Sequence, residues 1–181
     1  MKIVIMGYSG SGKSTLARKL GQRFGCDVLH FDTVQFLPKW EVRGQEEKLQ
    51  ITKEFLDTHD AWVIDGNYSK LYLDQRLEEA DVIILLLFNR IHCLYRVTKR
   101  FFTYRNKTRP DMGEGCNEKL DFEFISWVLW KGRTKETRER YQRIREQYKD
   151  KVIVLKNQRE LDQWSAKENI PDGPSWLIKN E

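Results

Sequence analysis

Hydrophobic and polar positions along this chain switch between two periods, and the switches mark its elements. Residues 2–6 are a short β-branched and apolar run ending at a glycine, the pattern of a buried strand. From Ser14 onward Leu16, Ala17, Leu20 and Phe24 recur at helical spacing, and Gly25 stands where a helix favours a C-terminal glycine. Residues 28–31 read as a second strand, and 33–44, with Pro38 and Trp40, as a loop. Leu49, Thr52, Phe55 and Leu56 predict a helix over 45–58, and a third strand follows at 61–65. A short helix suits 71–80. Residues 82–88 are so uniformly apolar that both faces of that strand must be covered, which places it inside the sheet. A polar and aromatic region then runs to residue 151, with helices predicted at 91–104 and 122–148. A fifth strand at 152–155 and a closing helix at 160–167 complete the pattern. The tail from Asn169, with Pro171, Gly173 and Pro174, is turn-rich, and Trp176, Leu177 and Ile178 are available to tack it onto the core.

Strands alternating with helices imply right-handed crossovers and a mainly parallel five-stranded sheet covered on both sides, an α/β fold of three layers. A length of 181 residues suits one domain spanning 1–181, and no internal repeat or low-complexity tract interrupts it. Apolar residues make up 40% and charged residues 33%, with a mean hydropathy of -0.67, which fits a globular chain with a heavily charged surface. The longest apolar run, at 82–88, falls far short of the roughly 20 residues of a membrane helix. The opening apolar stretch stops at Gly7, too early for a secretory signal, so a cytoplasmic location is expected. Cys26, Cys93 and Cys116 are widely spaced and predict reduced thiols, with neither a disulfide framework nor a zinc knuckle. A net charge of +5 suits polyanions, but phosphate-handling enzymes are basic too, and charge alone does not decide between them.

The strongest chemical signal is Gly7-Tyr8-Ser9-Gly10-Ser11-Gly12-Lys13-Ser14, which fits G-x-x-x-x-G-K-[ST] without a mismatch and lies between a strand and a helix. Glycines let the backbone fold around phosphates, and the helix N-terminus presents N–H groups and a partial positive charge to them. The stretch 7–15, including Thr15, is therefore expected to hold the phosphates of ATP with Mg²⁺. Lys13 would reach the β- and γ-phosphates, and Ser14 would ligate the metal. A buried lysine at a helix N-terminus without an anion would be electrostatically unfavourable, which argues against a plain glycine turn.

At these residues the chain resembles the small-molecule and nucleotide kinases of the adenylate-kinase-like branch of P-loop proteins. Asp32 after the second strand, Asp65-Gly66 ending the third, and an arginine-bearing helix after the fourth support the likeness. More narrowly, His30-Phe31-Asp32 with Leu37-Pro38-Lys39-Trp40, then Asp65-Gly66-Asn67-Tyr68, look like bacterial proteins labelled DNA topology modulation proteins. The resemblance implies the P-loop NTPase version of the three-layer fold, a helical lid region and phosphoryl transfer from ATP. Ser9 precedes Gly10 where adenylate kinases carry a proline, a pattern closer to uridine or gluconate kinases. Asn67, Tyr68 and Ser69 stand where an adenylate-kinase acceptor site has an arginine, which weakens a nucleoside monophosphate acceptor. The fourth position of Asn106-Lys107-Thr108-Arg109 and the missing D-x-x-G spacing at Asp65 speak against a regulatory GTPase, so ATP is the expected nucleotide.

Asp65 is expected at the carboxyl end of its strand, holding Mg²⁺ through water, with a turn aspartate as the alternative. Asp32 on the same rim would orient an acceptor hydroxyl or take its proton, with a helix or turn cap as the alternative. Residues 90–109 carry Arg90, Arg96, Lys99, Arg100, Arg105, Lys107 and Arg109 and no acidic residue. Arg96 and Arg100 share a helix face and match by order the lid-helix arginines that clamp phosphoryl oxygens. Arg105, Lys107 and Arg109 are as well explained by a solvated face. Arg133 and Arg138 fall in a mixed-charge helix with Glu136 and Arg140 spaced for an ion pair, and read as surface with room for one exception. Pro110, Gly113 and Gly115 predict a lid within 105–119, or else a connecting loop. Trp40 and Tyr68 are candidates to line an acceptor pocket or to pack. Two functions remain open on the sequence: phosphoryl transfer from a nucleoside triphosphate to a small-molecule acceptor, or an ATP-binding regulator whose basic segment contacts nucleic acid.

Overall fold

A computed structural model of the protein describes residues 1–105, 112 and 115–170. Most of the expected lid, with Lys107, Arg109, Pro110 and Gly113, and the tail residues Trp176, Leu177 and Ile178 lie outside the described residues.

Strands β1 (Lys2–Gly7), β2 (Asp27–His30), β3 (Trp62–Asp65), β4 (Val82–Leu86) and β5 (Val152–Leu155) form one sheet in the order β2-β3-β1-β4-β5. Every pair is parallel, with Ile3 opposite Val63 and Val82, and His30 opposite Asp65. The helices are α1 (Lys13–Phe24), α2 (Phe31–Gln35), α3 (Gln45–Thr58), α4 (Leu73–Glu79), α5 (Arg90–Thr103), α6 (Phe122–Leu129), α7 (Lys135–Gln147) and α8 (Gln158–Lys167).

Strand side chains alternate between two cores, as the period of two requires. Ile3, Ile5, Val63, Ile84 and Leu86 face one side, with Leu16, Ala17 and Leu20 of α1, Cys93 and Val97 of α5, Val128 of α6 and Leu161 of α8. Val4, Met6, Trp62, Ile64, Ile83 and Leu85 face the other, with Leu56 of α3, Leu77 of α4, and Tyr141 and Ile144 of α7. Three layers result, and β4 has Ile83, Ile84, Leu85 and Leu86 fully buried, as its uniform apolar run predicts. None of the helices among the described residues is long and apolar enough to cross a membrane.

Two stretches depart from the sequence expectation. The predicted loop at 33–44 is partly ordered: β2 stops at His30, and Phe31 and Val34 are buried on one face of α2. A 3-10 turn at Pro38–Trp40 and an antiparallel bridge between Phe36 and Val42 follow. Arg43 pins this turn by donating to the Val34 carbonyl at 2.9 Å. The single helix expected over 122–148 is two helices joined by a 3-10 turn at Lys131–Arg133. Trp130 leaves helical geometry at φ -136°, ψ -62°, and Thr134 caps α7 by accepting from the Thr137 N–H at 3.3 Å. On α7 the ion pair is Lys135 with Glu139 at 3.7 Å, not the expected Glu136 with Arg140.

Candidate functional site

From β1 the chain leaves through α1 toward the edge strand β2, whereas from β3 it leaves through α4 to β4, on the other side of β1. Helices α1 and α4 consequently cover opposite faces, and a crevice opens between the carboxyl ends of β1 and β3. A cleft of about 1490 Å³ occupies this place. Lys13, Ser14, Asp32 and Asp65 all line it, from loci far apart in the chain.

The glycine loop is held from several directions. Gly7 has φ +145°, and a Cβ there would overlap the Leu86 carbonyl. Gly12 has φ +96° and caps α1 without any side-chain hydrogen bond, and a Cβ there would run into the Arg96 guanidinium. Asn67 grips Gly7 twice: its Oδ1 accepts from the Gly7 N–H at 3.0 Å, and its Nδ2 donates to the Gly7 carbonyl at 2.7 Å. Trp127 donates its indole N–H to Ser9 Oγ at 3.1 Å. Arg133 lies 3.7 Å over the Tyr8 ring and donates to the Val128 and Phe88 carbonyls, both at 3.0 Å. The surface role expected for Arg133 is thus corrected: it buttresses the loop, while Arg138 is exposed as expected.

Several features of this cradle suit an anion and a divalent cation. The first turn of α1 holds no acidic residue and its N-cap offers no side-chain acceptor. Lys13 Nζ donates to the Tyr8 carbonyl at 3.2 Å, a neutral partner for a full charge. Burial lowers the Lys13 pKa from its ordinary value, against the opposing pull of Asp65 and Asp32, so the ammonium is short of counter-charge. The hydroxyl of Ser11 is fully buried away from the cleft and finds no hydrogen-bond partner among the described residues. Ser14 Oγ donates to Asp65 Oδ2 at 2.9 Å, the hydroxyl and carboxylate pairing that a hard, largely hydrated ion such as Mg²⁺ accepts. Among the described residues no cluster of three His, Cys, Asp or Glu side chains gathers to hold a metal by itself, so phosphate and water oxygens would complete the shell. Thr15 follows on α1 with its side chain exposed at the cleft, and Gly10 packs against the start of α5.

Asp65 is buried, 4% exposed, and its second oxygen meets His30 Nδ1 at 2.5 Å. Their strand register places the two residues side by side. Asp32 is not at the end of a strand but in the first turn of α2, where it accepts from the Tyr68 hydroxyl at 2.7 Å. Burial, and then the charge of Asp32, push the Tyr68 pKa well above the ordinary phenol value, so Tyr68 stays a neutral donor. Behind Tyr68, the fully buried Arg76 donates to the Leu71 and Tyr68 carbonyls at 2.8 and 2.7 Å and stacks 4.4 Å from Phe31. Tyr68 therefore both packs and lines the cleft, and so does Trp40, which donates to the Asn117 carbonyl at 3.1 Å.

Arg96 and Arg100 of α5 face the cleft together, as their spacing predicts. Arg96 lies against Gly12, bonds Gln158 and stacks 5.5 Å from Phe88, and burial lowers its pKa. Arg100 binds Glu118 through Nε at 2.8 Å and Nη2 at 2.6 Å. Arg90 and Arg105 are exposed and do not line the cleft. His30, Asn67, Glu118 and Arg133 are site residues that sequence reasoning did not assign to these tasks. His30 and Asn67 adjoin the aspartates in the quoted motifs, which is the only signal the sequence held for them. No protein-family model matches the chain, and a comparison with curated proteins returns no match.

Proposed function

We propose that this protein is an ATP-dependent phosphotransferase of the P-loop kinase type, acting on a small hydroxyl-bearing acceptor. The observation that carries the reading is the meeting of Lys13, Ser14 and Asp65 at the N-terminus of α1, in the crevice between β1 and β3. When bound, ATP supplies a phosphoryl group that passes to the acceptor oxygen as the bond to the β-phosphate breaks and ADP leaves, and Mg²⁺ draws off negative charge. Lys13 and the N–H groups of the glycine loop hold the phosphate oxygens. Ser14 and Asp65 hold the metal, with His30 fixing the orientation of Asp65. Arg96 and Arg100 neutralise charge on the transferred group, Arg100 after exchanging Glu118 for phosphate. Asp32, steadied by Tyr68, orients the acceptor hydroxyl and receives its proton.

The two arginines of α5 with the best claim to phosphate turn into the cleft rather than out to a duplex, which favours the enzyme reading over a nucleic-acid surface. The test is a screen of nucleosides, nucleotides and sugars for stimulated ADP release. A compound that raises release at least tenfold in the wild type, with the stimulation lost in Lys13→Ala, supports the proposal. DNA affinity that falls steeply with salt, with no acceptor-stimulated release, supports the regulator instead.

A further inference from the structure

Lys48 sits in the first turn of α3, is 7% exposed, and lines the cleft beyond Asp32. Its Nζ donates to Gln35 Oε1 at 3.1 Å, and none of the described carboxylates pairs with it. An ammonium with one neutral hydrogen-bond partner keeps two donors for a further group. Lys13 likewise donates to a neutral oxygen, the Tyr8 carbonyl, although Asp65 and Asp32 also act on its charge.

Position narrows what Lys48 would meet. Gln35 and Asp32 are three residues apart on α2, so they share a face with roughly 5–6 Å between their Cβ atoms. Lys48 is therefore a near neighbour of the carboxylate proposed to receive the acceptor proton. Phe36 and Trp40, in edge-to-face contact at 5.2 Å, wall the same corner. A ligand with its hydroxyl at Asp32 reaches Lys48 within a few bonds.

We propose that Lys48 binds an anionic group of the acceptor, so that the substrate class is small hydroxyl compounds bearing a carboxylate or phosphate. This rests on the phosphotransferase reading of the cleft. Lys48 supplies the counter-charge, Gln35 holds the ammonium in place, and Asp32 receives the hydroxyl end. Neutral hydroxyl compounds of the same shape leave Lys48 desolvated and unpaired, and are rejected for that reason.

The test loads the protein with Mg²⁺ and a non-hydrolysable ATP analogue, then titrates matched pairs by calorimetry: gluconate against glucose, and uridine 5′-monophosphate against uridine. At least one anion is expected to bind about 10- to 100-fold more tightly than its neutral partner, the range of one charge-assisted hydrogen bond. Lys48→Met should abolish that preference while affinity for the analogue stays within about twofold, and Lys48→Arg should retain it. The paired comparison on the wild type needs no variant, so a Met variant that fails to fold does not spare the proposal. Equal binding of both members of each pair, failure of both anions to bind, or anion binding that survives Lys48→Met overturns it. Carboxylate and phosphate are separated by which pair shows the preference. If anions bind through Lys48 but ATP in place of the analogue yields no ADP, the subsite stands and the phosphotransferase reading falls.

Discussion

Replacing Asn67 by alanine tests whether the glycine loop depends on a clamp from β3. The side chain makes two hydrogen bonds to one residue, accepting from the Gly7 N–H at 3.0 Å and donating to the Gly7 carbonyl at 2.7 Å. Only a primary amide serves both, since a carboxylate lacks the donor and a hydroxyl lacks the reach. Gly7 is buried, so each group that loses its partner costs about 1–3 kcal/mol. Water can enter beside the half-buried side chain, which puts the sum near the low end, about 2–3 kcal/mol. For a chain of this size that lowers Tm by about 4–12 °C. Nucleotide binding suffers separately: a loop correctly formed only about a tenth of the time binds about tenfold more weakly. Urea unfolding and calorimetry with MgATP measure the two effects. Asn67→Asp should be no better in either assay, because it faces the Gly7 carbonyl with a negative charge. A loss below about 0.5 kcal/mol in Asn67→Ala, with MgATP affinity unchanged, would refute the clamp.

On the proposed reading Lys13→Ala abolishes MgATP binding in calorimetry while leaving urea stability within about 1 kcal/mol, because the one hydrogen bond shown for its ammonium goes to the Tyr8 carbonyl. Asp32→Asn should lower turnover with the true acceptor by about ten- to a thousandfold and leave MgATP affinity in place; a parallel collapse of both would move Asp32 to the metal. Arg133→Leu strips partners from the Val128 and Phe88 carbonyls and removes the cation from the Tyr8 ring, and should cost about 2–4 kcal/mol of stability with weaker nucleotide binding. An Arg133→Leu protein as stable as the wild type would return that residue to the surface role its sequence suggested.

Where local pattern decides, the sequence was readable. Residues 45–58 and 152–155 match α3 and β5 to the residue, and Gly25 closes α1 in the left-handed conformation at φ +61°, because periodicity and end signals are written within a few positions. Helix α2 has five residues, too few to show a period, so the stretch after β2 was expected to be a loop and instead begins with the helical turn that carries Asp32. The break near Trp130 escaped notice because 122–129 and 135–147 are each helical by composition. The partnerships of the site are of another kind. His30 meets Asp65, Asn67 meets Gly7, and Arg100 meets Glu118 only after the strands have been set side by side, and nothing local announces such pairs. Glu118 in particular follows a turn-rich stretch and carried no chemistry by spacing. The glycine loop was legible for the opposite reason: its left-handed glycines and the helix they lead into follow one another within eight residues.

The central place of β1 has a consequence for how the protein is made. This strand is synthesised before both of its neighbours, β3 and β4, so it has nothing to pair with until residue 62 has been synthesised and only one partner until residue 82. The nascent chain must carry an apolar ribbon with both edges open through that interval, a state in which contact with chaperones or with other chains competes with folding. The glycine loop matures later still, since the Tyr8 N–H finds its acceptor on Leu86 and Arg133 comes from beyond α6. The loop is thus translated before its partners and finished only after them, and a premature stop between α1 and Arg133 would leave its sequence intact and its architecture missing.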